Sequence, residues 1–117
     1  MRIVVVDDSA IARRVFARLA TAAGHEVVGE SADADDAIEQ VLRQAPDAVV
    51  IDGRLPPHGA PPLIERLRER RPDMRIVIVA SLDERDLVVA AAAAGASAAL
   101  LRPLLPSRVA EALDTSR

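Results

Sequence analysis

Four places along the chain set a chemically capable residue directly after a short apolar run. Asp7-Asp8 follows Ile3-Val4-Val5-Val6, and Asp52 follows Ala48-Val49-Val50-Ile51. Ser81 follows a run ending Ile76-Val77-Ile78-Val79-Ala80, and Arg102 follows Ala98-Ala99-Leu100-Leu101. If the fold brings Asp7, Asp8 and Asp52 together, each close carboxylate pair repels by about 4 kcal/mol at an intermediate effective dielectric. Such a cluster either keeps protons or holds a cation. Oxygen-only ligands in a hydrated cleft suit Mg²⁺ better than a softer metal. Add a hydroxyl from Ser81 and a fixed positive charge from Arg102, and the groups around one free carboxylate fit phosphoryl transfer. The simpler reading, an aspartate capping the next helix, accounts for one acid but not for two plus Asp52.

The elements that must position these residues are legible from periodicity. Strand-like runs fall at Ile3–Val6, Glu26–Gly29, Ala48–Ile51, Ile76–Val79 and Ala98–Leu101. Three are rich in Val and Ile and almost continuously apolar, as for strands buried on both faces. The last is weak on propensity and rests on its place in the alternation. Helical patterns lie between them. Residues 9–23 carry Ile11, Val15 and Leu19 as a core-facing stripe, with Ser9 or Asp8 as cap and Gly24 as stop. Asp33–Gln44 carries Ala37, Ile38, Val41 and Leu42. A third helix starts at Pro61 or Pro62 and carries Leu63, Ile64 and Leu67. The fourth runs Asp83–Ala94 and ends at Gly95, and a short fifth covers Pro106–Leu113. The order βαβαβαβαβα predicts an α/β fold, a doubly wound five-stranded parallel sheet with helices on both faces. In the flavodoxin-like order 2-1-3-4-5, the first and third strands are neighbours at the switch point, where ligands bind beyond the strands' carboxyl ends.

Composition narrows the classes. At 117 residues and half hydrophobic, the chain suits one domain, residues 1–117, with a core that needs no staple. It contains no cysteine, which excludes disulfides, thiolate metal sites and a Cys nucleophile. Net charge is −3, no basic tail is present and Phe16 is the sole aromatic residue. Direct nucleic-acid contact is therefore disfavoured. No apolar run approaches a membrane span and no signal-peptide pattern is present, so a cytoplasmic location is expected. All 15 basic residues are arginine. His25 and His58 lack partners at ligand spacing and read as loop or surface residues. The charged stretch Glu65–Arg71 reads as an exposed helix face.

Taken in order, VVVDDS, VVIDGRLP, IVIVAS and GASAALLRP resemble the receiver domain of two-component response regulators, of the CheY-like kind, over essentially the whole chain. The resemblance implies a signalling phosphoacceptor rather than an enzyme. Asp52 would take a phosphoryl group from a phosphohistidine on a sensor histidine kinase or phosphotransfer protein. Asp7 and Asp8 would hold Mg²⁺ with Asp52 and the backbone carbonyl of Arg54. Ser81 would hydrogen-bond a phosphoryl oxygen in the activated state. Phosphorylation would then bias a surface formed by the fourth helix, fifth strand and fifth helix. The alanine-rich fourth helix suits close packing there, so a homodimer through this face is expected. The stretch HEVVGESADADDAIE resembles receivers that precede helix-turn-helix DNA-binding domains, which implies an output domain beyond the C-terminus.

Three positions depart from the family pattern. Arg102 stands where lysine is usual. Its planar fork either reaches phosphoryl oxygens or points to solvent. Ala99 replaces a frequent aromatic switch residue, and Ala60 replaces a common glycine, with Gly59 just before it. The loop Leu55–Pro62 holds four prolines and should be stiff. Arg54 and Asp83 flank the expected cleft and would tune water access to a phosphoaspartate. Arg102 and Ala99 keep a second reading open, a phosphorylation-independent interaction module. A hydrolase with an aspartyl nucleophile after the first strand would need a D-x-D arrangement, and Ser9 occupies the place of its second acid.

Overall fold

Residues 1–114 are described by a computed structural model. Five parallel strands are ordered β2-β1-β3-β4-β5, the order expected from the alternation. They are β1 (Arg2–Val6), β2 (Glu26–Ser31), β3 (Ala48–Asp52), β4 (Arg75–Ala80) and β5 (Ala98–Leu101). The connecting helices are α1 (Ala10–Ala22), α2 (Ala34–Gln44), α3 (Ala60–Arg70) and α4 (Arg85–Ala94), and α5 (Pro106–Leu113) follows β5.

Side-chain alternation along each strand divides the core in two. Val4 and Val6, Val49 and Ile51, and Ile76, Ile78 and Ala80 face α2, α3 and α4, packing with Ile38, Val41, Leu63, Ile64, Leu67 and Ala91. Ile3 and Val5, Ala48 and Val50, and Val77 and Val79 face the other way, packing with Phe16 and Ala20 of α1 and Val109 and Leu113 of α5. Both faces of the central strands are therefore covered, which explains their unbroken apolar character. Each fully buried Val, Leu or Ile contributes roughly 1.5–3 kcal/mol of transfer free energy. The weak fifth strand forms because β4 supplies its partner, with Val77 opposite Ala98 and Ala80 opposite Leu101.

Several details differ from expectation. In α1, Ile11 and Val15 are 74% and 50% exposed, and of the expected stripe only Leu19 packs against the core. The helix is rotated by about one residue, burying Phe16 and Ala20 instead. Two apolar rows compete on this helix, and the one with the aromatic ring removes more surface from water. Leu42 of α2 is likewise exposed, while Ala37, Ile38 and Val41 are buried. α3 starts at Ala60, one residue before Pro61, with Gly59 as N-cap at φ +79°. α4 starts at Arg85 rather than Asp83.

The charged α3 stretch is also not wholly exposed. Arg68 is half-buried and acts as a clamp, donating to the carbonyls of Gly95, Arg71, Pro72 and Met74 and to Ser97 Oγ. One planar guanidinium thus ties the end of α3 to the loops before β4 and β5. No described helix is long and apolar enough to cross a membrane.

Candidate functional site

Strand register and side-chain parity build the site. Val6 of β1 pairs with Ile51 of β3, so Asp7 and Asp52 come next on neighbouring strands. Each is two residues beyond a side chain of the α1–α5 core, Val5 and Val50 respectively. Ser81 and Arg102 stand in the same relation to Val79 and Leu100. Strand periodicity therefore aims all four groups at one side of the sheet's carboxyl edge. Carboxylate oxygens of Asp7, Asp8 and Asp52 lie within 4.8 Å of one another, the group among the described residues that suits a metal ion.

Local bonds hold the acids in place. Asp7 N donates to Ser31 O of β2 at 3.0 Å. Asp7 Oδ1 accepts from Ser9 N at 2.9 Å, while Ser9 Oγ caps α1 by accepting from Ala12 N at 3.1 Å. Arg13 reaches back from α1 to donate to Asp7 O at 2.6 Å and pairs with Glu30 at 3.4 Å. Asp8 is exposed and Asp7 half-buried. Partial burial pushes the Asp7 carboxyl above its ordinary 3.8, and the Asp52 and Asp8 charges push the same way; the Ser9 N–H and Arg102 oppose them. Burial is the larger cause and the neighbouring carboxylates the smaller, and a cation bound here would oppose both.

Asp52 is nearly covered, with 12% of its side chain exposed. Its Oδ1 receives Arg102 Nη2 at 3.3 Å and Arg54 N at 3.3 Å. The sequence left Arg102 between this carboxylate and solvent, and the structure places it on Asp52. Arg102 N is itself pinned to Ala80 O at 2.9 Å. The loop after Asp52 is tied back to the sheet: Gly53 N donates to Val79 O at 2.8 Å, and Ala60 N to Gly53 O at 3.0 Å. Leu55 is buried at the base of this proline-rich loop. Below the carboxylates lies a cavity of about 310 Å³, walled by Val15, Phe16, Val50, Val79 and Leu104, with Asp7, Asp52 and Arg102 at its polar end.

Ser81 leaves β4 beside this cluster. Its N–H donates to Glu84 Oε1 at 2.6 Å, and Glu84 Oε2 pairs with Arg54 Nε at 3.3 Å. Sequence reading singled out Asp83 and missed Glu84. Asp83 is exposed and makes no ion pair among the described residues, whereas the Glu84 side chain is only 12% exposed. The missed signal was the S-x-x-E spacing of Ser81-Leu82-Asp83-Glu84, in which a glutamate reaches back to the N–H three residues earlier. His25 lies away from these strand ends and accepts a bond from the Met1 ammonium at 2.9 Å. Burial, then that ammonium, holds its imidazole below 6.5.

An all-oxygen donor set with one exposed member fits a hard divalent cation such as Mg²⁺, which keeps part of its water shell. Fold and site together define a flavodoxin-like domain with an acidic cluster at its switch point. More narrowly, the chain belongs to the response regulator receiver domain family, whose family model matches residues 3–114. It is 32% identical over 113 residues to the chemotaxis protein CheY of Thermotoga maritima, covering 97% of this chain and 94% of that one. It is 30% identical to the transcriptional regulatory protein PdtaR of Mycobacterium tuberculosis, covering 97% of this chain and 55% of PdtaR. The chain thus spans nearly all of one relative and about half of the other. Among solved structures, the receiver domain of NtrX from Brucella abortus superposes with a TM-score of 0.84 at 27% identity, covering 97% of this chain and 99% of that one.

Proposed function

We propose that the chain is a phosphorylation-controlled switch in which Asp52 accepts a phosphoryl group from a phosphohistidine on a sensor histidine kinase or phosphotransfer protein. The observation that carries this reading is the convergence of Asp7, Asp8 and Asp52 within 4.8 Å while Arg102 holds Asp52 Oδ1. Asp52 Oδ2 has no hydrogen bond among the described residues and is the oxygen free to attack. The new O–P bond forms as the N–P bond to imidazole breaks, and the imidazole leaves with that electron pair. Repulsion between an anionic nucleophile and an anionic phosphoryl group opposes such a step, and fixed positive charge offsets it. Arg102 supplies that charge from the chain itself. Asp7, Asp8 and Asp52, with the Arg54 carbonyl, would hold Mg²⁺, which when bound neutralises the phosphoryl oxygens. Ser81 would donate its hydroxyl to one of them.

The output is a change at the surface of α4, β5 and α5. Ala99 is exposed on β5 and has no ring to rotate, so the signal travels by movement of the β4–α4 loop and backbone. Homodimerisation through this face, or contact with an output domain, would read the change. A cytoplasmic location follows from a kinase partner of this kind. The protein acts as a phosphoacceptor, not as a turnover enzyme.

The test is intact-mass measurement after incubation with Mg²⁺ and acetyl phosphate. One added phosphoryl group, absent in Asp52→Asn, is the expected result. Absence of any addition, with Mg²⁺ still stabilising the fold, would overturn the reading and favour a phosphorylation-independent interaction module.

A further inference from the structure

Glu84 sits where two loops of the site meet. Its Oε1 accepts from Ser81 N at 2.6 Å, the shortest of the contacts around Ser81, and its Oε2 pairs with Arg54 Nε at 3.3 Å. Arg54 N in turn donates to Asp52 Oδ1 at 3.3 Å. A continuous circuit therefore runs from the Asp52 carboxylate, through the backbone and guanidinium of Arg54 and the carboxylate of Glu84, to the backbone of Ser81. The turn is closed a second time by Glu84 N donating to Ser81 O at 3.0 Å. The Glu84 side chain is largely buried, whereas that of Arg54 is 77% exposed. The acid is thus the fixed member and the arginine the movable one.

From this circuit we infer that Glu84 is a positioning residue that latches the β4–α4 loop in its resting place and must release Ser81 before the hydroxyl reaches a phosphoryl oxygen. The inference rests on the phosphoacceptor reading of Asp52. Its electrostatic logic is direct. Converting the Asp52 carboxylate into an acyl phosphate adds roughly one unit of negative charge. That charge draws the Arg54 guanidinium away from Glu84 and repels the Glu84 carboxylate. Both effects weaken the ion pair, and the Ser81 N–H then has an acceptor no longer anchored from the other side. Phosphorylation and Ser81 movement are coupled through one carboxylate, which is a two-state element that the site's charge biases.

The test uses the whole chain with Mg²⁺ and beryllofluoride as phosphoryl probe, followed by two-dimensional amide NMR. In the wild type without probe, the Ser81 amide proton should lie far downfield, the mark of a short bond to a carboxylate. Glu84→Ala should abolish that shift. It should also tighten apparent beryllofluoride affinity by about three- to tenfold, the gain expected when a charge-assisted bond opposing the active state is removed. The isosteric Glu84→Gln keeps an acceptor for Ser81 N while losing the Arg54 pair, so its gain should be smaller and its amide shift retained. Arg54→Gln breaks the same pair but also removes a cation that the probe attracts, so its gain should be smaller than that of Glu84→Gln. A merely structural Glu84 would change melting temperature without this graded pattern. Affinity within twofold of wild type in both Glu84 variants, or weaker than wild type, would overturn the latch while leaving the phosphoacceptor reading intact. A wild-type protein that does not respond to beryllofluoride would overturn both.

Discussion

Asp7→Asn should stabilise the metal-free protein, although it removes a residue assigned to the site. At 4.8 Å, two full charges repel by about 3.5 kcal/mol at an effective dielectric of about 20. Asp7 faces two such neighbours, Asp8 and Asp52. That gross figure is an upper bound, since Asp7 is only partly buried and Arg102 offsets part of it. Exposed charge pairs typically retain 1 kcal/mol or less each after screening. A net gain of about 1–2 kcal/mol is therefore expected, or about 4–10 °C in melting temperature for a domain of this size. Asparagine preserves the shape and can still accept from Ser9 N. The sign of the pH dependence follows from the raised carboxyl of Asp7. Between the ordinary value of 3.8 and the raised folded value, the folded state binds this proton more tightly than the unfolded state. Wild-type stability from this group thus grows as pH falls through the raised value, and the gain is complete below 3.8. The variant's advantage should be full at neutral pH and vanish near pH 3.8. Mg²⁺ should narrow or reverse it, because a site with Kd about 1 mM gains about 1.4 kcal/mol from 10 mM metal, which the variant largely forfeits. Thermal melts over a pH series, with and without Mg²⁺, decide the matter. A variant no more stable than wild type at neutral pH, or an advantage independent of pH, would refute the reasoning.

Arg68→Ala should destabilise the fold by about 2–4 kcal/mol in urea titrations, since it strands carbonyls in the two loops before β4 and β5. Arg68→Lys should recover little, because one ammonium cannot span that fork of acceptors; full recovery would argue against the clamp. Ala93 lies exposed on α4, so Ala93→Glu leaves the fold intact while placing a charge on the proposed dimer face. Self-association measured by sedimentation should weaken at least tenfold if that face is the interface, and an unchanged profile would count against it.

Much of this architecture is written in the periodicities. The strands were legible because both-face burial demands unbroken runs of Val and Ile, and the topology followed from alternation. The acids were legible because an apolar strand has no use for Asp7, Asp8 or Asp52 at its exit. What failed was helix rotation. Ile11 and Val15 have the same spacing as core residues, and only the sheet, by accepting Phe16, decides which row is buried. Arg68 shows the same limit, since its sequence neighbours are exposed charges and its buried acceptors come from distant loops. Glu84 was readable in principle, because the S-x-x-E spacing from Ser81 separates it from its equally acidic neighbour Asp83. Whether Arg102 would reach Asp52 depended on the path of the chain after β5, which side-chain type alone does not set.

Side-chain parity along the strands also constrains how this protein can vary. A single-residue insertion or deletion within Ala48–Ile51 would turn Asp52 towards α3 and exchange the two apolar faces of β3 at once. The same change at the opposite rim, in the turns around Gly24, Pro46 or Pro72, would shift no strand residue from its face. Length variation in this chain should therefore accumulate at the amino ends of the strands, leaving the spacing from each strand's core residues to its terminal polar group fixed.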